Sequence, residues 1–144
     1  MNETLSQRQV GRSIVAVLAG VVAGMVLSLA TDVLLHLARV FPPWGASMDG
    51  YDGALLLATI YRTVYGILSS YIAARLAPNR PMLHAMVLGI LGFVVSLLGA
   101  AATWNKGPAF GPHWYPVALV VLALPTAWLG GKLRLVQLGK RPVL

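Results

Sequence analysis

Residues 14–37 read IVAVLAGVVAGMVLSLATDVLLHL, an apolar run broken only by Asp32 and His36 among titratable residues. An α-helix needs about 20 such residues to cross the hydrocarbon core of a bilayer. Backbone groups in lipid must be satisfied within the segment, and the run lacks the alternation of a barrel strand, so a helix is required. Three further stretches meet the same length: residues 54–76, 82–104 and 114–131. The connections are short and rich in turn formers. They are Phe41-Pro42-Pro43-Trp44-Gly45, Pro78-Asn79-Arg80-Pro81, and Gly107-Pro108 through Gly111-Pro112. The predicted fold is all-α: a polytopic membrane protein of four transmembrane helices, with residues 1–144 forming a single transmembrane domain.

Composition agrees. Hydrophobic residues make up 58% of the chain and charged ones 10%, with a mean hydropathy of +0.75. Soluble domains carry about 25% charge, so a disordered chain, a nucleic-acid-binding module and an ordinary soluble enzyme are excluded. The net charge of +7 does not describe a phosphate-binding face, because the basic residues sit at the ends of the apolar runs. Arg8, Arg12, Arg75, Arg80, Lys132, Arg134, Lys140 and Arg141 fall on one side, Arg39 and Lys106 on the other, and Arg62 within a span. The positive-inside rule therefore places both termini in the cytoplasm. Phe41, Trp44, Tyr51, Trp104, Trp114 and Tyr115 form an aromatic belt at the outer interface. Arg8 and Arg12 before an apolar run and Ser28-Leu29-Ala30 resemble a cleaved signal peptide, but the run continues through Leu37, which favours a retained span. Without cysteine there is no disulfide, thiolate zinc site or iron–sulfur cluster.

Lipid supplies no hydrophobic drive between helices, so close packing relies on small residues. Span one has Gly20, Gly24 and Ser28; span two has Gly66, Ser69, Ser70, Ala73 and Ala74; span three has Gly89, Gly92, Ser96 and Gly99. These faces serve either to hold the four helices together or to form a homodimer seam. Pro125 should kink span four and free a carbonyl. Span two closes with Tyr71-Ile72-Ala73-Ala74-Arg75-Leu76 and span four with Trp128-Leu129-Gly130-Gly131-Lys132-Leu133. The shared pattern suggests two tandem helical hairpins, as in some transporters, although any cytoplasmic helix end tends to look alike.

The candidate site is an intramembrane polar cluster: Asp32, His36, Tyr61, Arg62 and Tyr65. Asp32 lies five residues short of the outer end of span one, about 7–8 Å deep, and Arg62 about 12 Å deep in span two. The spans are antiparallel neighbours, so the charges can meet. Inserting both costs roughly 5–7 kcal/mol; a contact at 4 Å and an effective dielectric near 20 returns about 4. Water or hydrogen bonds from Tyr61, Tyr65, Thr31 or Thr59 would supply the rest. His36 is one turn outward from Asp32 on the same face, and His113, Asp49 and Asp52 lie on the same outer side. Three readings follow: a structural ion pair; a site for a substrate, proton or lipid headgroup; or metal ligation, for which the spacing lacks the usual motifs. His84, at the cytoplasmic end, reads as interfacial. No nucleophile elbow, phosphate loop or paired-carboxylate site is present.

Several stretches carry a resemblance: Tyr61-Arg62-Thr63-Val64-Tyr65-Gly66, Ala74-Arg75-Leu76-Ala77-Pro78, Arg80-Pro81-Met82 with His84-Ala85, Trp114-Tyr115-Pro116, and Leu124-Pro125 leading to Gly130-Gly131-Lys132-Leu133. Together they resemble a family of small uncharacterised bacterial four-helix integral membrane proteins, over most of the chain after residue 54 and more loosely over span one. The resemblance implies the four-helix fold and a bacterial inner membrane, and carries over no catalytic residue; it leaves any cofactor unknown.

Two functions follow. The first is a non-enzymatic, transport-like or accessory subunit working as an oligomer or with a larger membrane partner, surrounded by membrane lipids. The other is an intramembrane enzyme or binding protein acting on a lipid or quinone-like molecule, with Asp32 and His36 as acid–base pair and Arg62 holding an anionic group.

Overall fold

The apolar run at residues 14–37 is the middle of a longer helix. In the computed structural model, which describes residues 2–139, α1 spans Asn2–Leu37, α2 Asp52–Leu76, α3 Pro81–Thr103 and α4 Trp114–Gly139, with one 3₁₀ turn at Pro108–Phe110. No strand forms among the described residues. All four helices are long and apolar enough to cross a membrane, so the chain is a multi-pass membrane protein. Lys140 and Arg141, counted above toward the orientation, lie outside the described residues. Both α1 and α4 run past the apolar windows read from sequence. Residues 2–13 and 132–138 contain no proline and many good helix formers, so hydropathy ends there while the backbone ladder continues.

Local chemistry sets the remaining ends. Pro78 drives Ala77 to an extended conformation (φ −56°, ψ 132°), which stops α2. Pro81, lacking an N–H, opens α3 where no donor is needed. At the end of α1, the Arg39 N–H donates to the His36 carbonyl at 3.0 Å and the Val40 N–H to the Leu35 carbonyl at 2.9 Å. This is a Schellman cap, with Arg39 in the left-handed conformation (φ 58°) usually held by glycine. α4 continues through Pro125, whose ring leaves the Val121 carbonyl without its helical donor.

The centre of the molecule is built from small side chains. Ala16, Ala58, Ala73, Ala74, Ala85, Ala127, Ser69 and Ser70 are buried, while Met25, Leu29, Leu34, Val95, Leu98 and Val121 face outward. This inverts the pattern of a soluble core, as expected where lipid solvates large aliphatic groups as well as protein does. α2 is the hub, packing on all three other helices; α3 and α4 form the closest pair, and α1 rests on α2 with a light contact to α3. Gly20 and Gly24 bring α1 onto α2: a Cβ at Gly20 would lie 2.7 Å from the Ser69 carbonyl oxygen, and one at Gly24 2.5 Å from Ser69 Oγ. Gly130 does the same between α4 and α2, and Gly89 and Gly131 between α3 and α4. The small pairs Ala73-Ala74 and Gly130-Gly131, matched in the tandem pattern, are both buried.

The end of the bundle away from the termini is capped by its loops. The Met48 N–H donates to the Ala109 carbonyl at 3.0 Å, joining the first and third connections, and Trp114 Nε1 donates to Asp52 Oδ1 at 2.9 Å. Phe41 is buried with Ala58 and Tyr61, and Leu35, Met48, Tyr65 and Tyr115 pack around them. At the opposite end Asn79 Nδ2 donates to Gln9 Oε1 at 3.4 Å, tying the second connection to the extension of α1.

Candidate functional site

Asp32 on α1 and Arg62 on α2 meet directly, with Arg62 Nη2 at 2.6 Å from Asp32 Oδ2. The Tyr61 hydroxyl donates to the other carboxylate oxygen, so both oxygens of Asp32 are engaged. One turn farther along α2, the Tyr65 hydroxyl and Thr31 Oγ1 are 2.9 Å apart. Because the Thr31 hydroxyl also donates to the Leu27 carbonyl at 2.8 Å, Tyr65 is left as the donor between them. The result is a polar seam between α1 and α2 that satisfies the carboxylate with a charge-assisted bond and a neutral donor. The Asp32 and Arg62 side chains keep 18% and 33% exposure.

The other residues singled out from sequence are used elsewhere. His36 shares a helix face with Asp32, but its Nδ1 donates to the Asp32 backbone carbonyl at 2.7 Å. Its ring stacks on Trp44, centroids 3.7 Å apart and planes within 3°. The imidazole therefore anchors the first connection rather than joining the carboxylate. Thr59 donates to the Leu55 carbonyl of its own helix at 2.9 Å and does not reach the ion pair. Asp52 accepts from Trp114. His113 bonds the Trp104 carbonyl at 2.9 Å and stacks on the Trp104 ring. Asp49 belongs to an outer pocket with Asp52 and His113, yet among the described residues no three His, Asp or Glu side chains gather as a metal ion would require. His84 is buried and its Nδ1 pairs with the carbonyl of Arg80, the N-cap of α3, at 3.2 Å across the helix's first turn.

Two features were missed. Tyr115, read only as part of the aromatic belt, packs against the Tyr61 cluster from α4; nothing in its local sequence announces that neighbour. The second is a groove of about 350 Å³, because α1 follows α2 and does not pack along α4. Gly24 and Ser28 line one wall, Gly92 and Ser96 the other, and Arg62, Gly66 and Ser69 the floor. Within it Arg62 Nε and Ser69 Oγ are buried without a hydrogen-bond partner, and Ser69 is only 4% exposed. The floor was legible in principle, since Arg62, Gly66 and Ser69 recur at helical spacing on one face. The chain can thus present a sheltered, mostly apolar slot within the membrane, with Arg62, Thr63 and Thr126 among its lining residues. Comparison with protein-family models, with curated proteins and with solved structures finds no match to this chain.

Proposed function

We propose that the protein is a non-enzymatic accessory or transport-like subunit of a bacterial inner membrane, multi-pass with both termini cytoplasmic, working as an oligomer or with a larger partner. The observation that carries this reading is the open groove. Gly20 and Gly24 are already spent on α2, whereas a Cβ at Gly92 would meet nothing within 4 Å. An uncovered helix face with a glycine and a serine at spacing four is the kind of surface on which transmembrane helices associate. The ion pair then acts as a lock between α1 and α2 that keeps the groove's floor and wall in place.

Native mass spectrometry of the gently solubilised protein, read beside thermal melting, tests this. Gly92→Leu is expected to keep the wild-type melting temperature and reduce the assembled fraction, whereas Gly20→Leu lowers the melting temperature itself. A wild-type mass of one chain alone overturns the proposal. The orientation has its own check, because the chain contains no cysteine of its own. Lys106→Cys should react with a membrane-impermeant thiol reagent added to intact cells, and Asn79→Cys only after lysis. Outside labelling of Asn79→Cys reverses the topology.

The place of Arg62 in the lining of the groove favours a second reading, a binding protein for a lipid or quinone-like molecule seated there. The same mass spectrum distinguishes it, as a small bound mass on a single chain. An acid–base role for Asp32 and His36 has less support. The carboxylate is held by Tyr61 and Arg62, and the imidazole is turned to the backbone.

A further inference from the structure

Positive charge concentrates at the end of the bundle that carries the termini, where Arg8, Arg12, Arg75, Arg80, Lys132 and Arg134 stand. Three of the chain's four carboxylates, Asp32, Asp49 and Asp52, belong to the opposite half. On the face where α2 meets α4 one of these cations is tied to both helices through hydrogen bonds. Arg75 Nη1 donates to the Tyr71 hydroxyl oxygen at 3.0 Å, and the Tyr71 hydroxyl donates to Gln137 Oε1 at 2.7 Å. Arg134 precedes Gln137 by three residues, so it shares that face of α4. Its Nε is buried and has no acceptor among the described residues. Tyr71 and Gln137 form one end of a groove of about 440 Å³ whose other lining residues are Val64, Ile67, Leu68 and Leu133. That volume lies within the range of about 300–1,000 Å³ common for small-molecule sites.

We propose that this face binds one anionic phospholipid, its phosphate between Arg75 and Arg134 and an acyl chain along the groove of Val64, Ile67, Leu68 and Leu133. Arg75 is the penultimate residue of α2, the level at which a headgroup meets the end of a membrane-spanning helix. The groove leads from there toward the bilayer centre, the direction an acyl chain takes. Guanidinium groups match phosphate oxygens with paired N–H donors, and juxtamembrane arginines attract anionic headgroups. The Tyr71–Gln137 bond links the two helices at this level, where the close approach at Gly130 sets their spacing. A second copy of this chain fits the site poorly, because its own surface at this end is also basic.

The test uses the full chain, delipidated in neutral detergent and titrated with dioleoylphosphatidylglycerol or dioleoylphosphatidylcholine, with bound lipid counted by native mass spectrometry and melting followed in parallel. The wild-type protein is expected to hold one phosphatidylglycerol about tenfold more tightly than phosphatidylcholine, and to melt at a higher temperature with it. Arg75→Gln with Arg134→Gln should abolish the preference. Arg8→Gln with Arg12→Gln, which removes the same charge elsewhere, should keep it. Arg134→Lys preserves charge and fold but loses the paired donors, so a weaker preference is expected even should the double variant fail to fold. Equal binding of the two lipids, an unchanged preference in Arg134→Lys, or equal loss in both double variants overturns the site in favour of diffuse attraction or none.

Discussion

Asp32→Asn is expected to lower the stability of the protein by about 3 kcal/mol, read as the shift of a reversible unfolding curve in detergent or bicelles. Removing one member of a buried ion pair costs about 3–5 kcal/mol, because the remaining charge keeps its desolvation penalty without its partner. The lower end applies, since the Arg62 side chain is 33% exposed and solvent can screen part of the loss. Arg62→Gln should be milder, because the Asp32 carboxylate keeps the Tyr61 hydroxyl, whereas Asp32→Asn leaves a guanidinium whose Nε is already unpartnered. The exchanged pair, Asp32→Arg with Arg62→Asp, should recover part of the loss and not all, since Tyr61 would then face a cation. Single variants as stable as wild type, with the exchange no better than either, would show that the contact locks nothing.

Gly130→Ala is expected to cost about as much through geometry alone. A Cβ there would overlap the Ile67 carbonyl oxygen and lie 2.7 Å from the Tyr71 nitrogen and 2.8 Å from Ser70 Cβ. Two of these neighbours are backbone atoms, so no flexible side chain can turn aside and α2 must move away from α4. Overpacking of this kind costs typically 1–3 kcal/mol, and separating the hub helix from its parallel neighbour puts this case at the upper end. Gly99→Ala is the control. Its Cβ would meet nothing within 4 Å, and the change improves helix propensity by about 1 kcal/mol, so its melting temperature should hold or rise. Equal melting of the two variants would mean that α2 and α4 are not in backbone contact.

The four spans were legible because hydropathy over a window is a local property, whereas where a helix stops in water depends on propensity and caps. That is why α1 and α4 outran their apolar windows. The meeting of Asp32 and Arg62 was legible too, because two antiparallel spans joined by a short loop fix the depth of each residue. Rotation about the helix axis was not. His36 shares a face with Asp32, yet the stacking partner that turns its ring, Trp44, comes from an irregular connection whose path no periodicity encodes. The glycine faces were visible, but not their partners: Gly20 and Gly24 found Ser69, whereas Gly92 found nothing. Tyr115 and the groove depend on how far α1 lies from α4, a distance set by the summed packing of all the helices.

The 2.6 Å contact between Asp32 and Arg62 also decides how the bundle responds to a voltage. A lone guanidinium at that depth would couple to the transmembrane potential, at up to about 2.3 kcal/mol per 100 mV for a full crossing. Joined to a carboxylate on the neighbouring helix it contributes no net charge, and the field acts only on a short dipole. α1 and α2 can therefore shift together without this pair moving net charge through the membrane. At this site a step in potential does work only when the pair separates, so the pair itself adds no gating charge for as long as that lock stays closed.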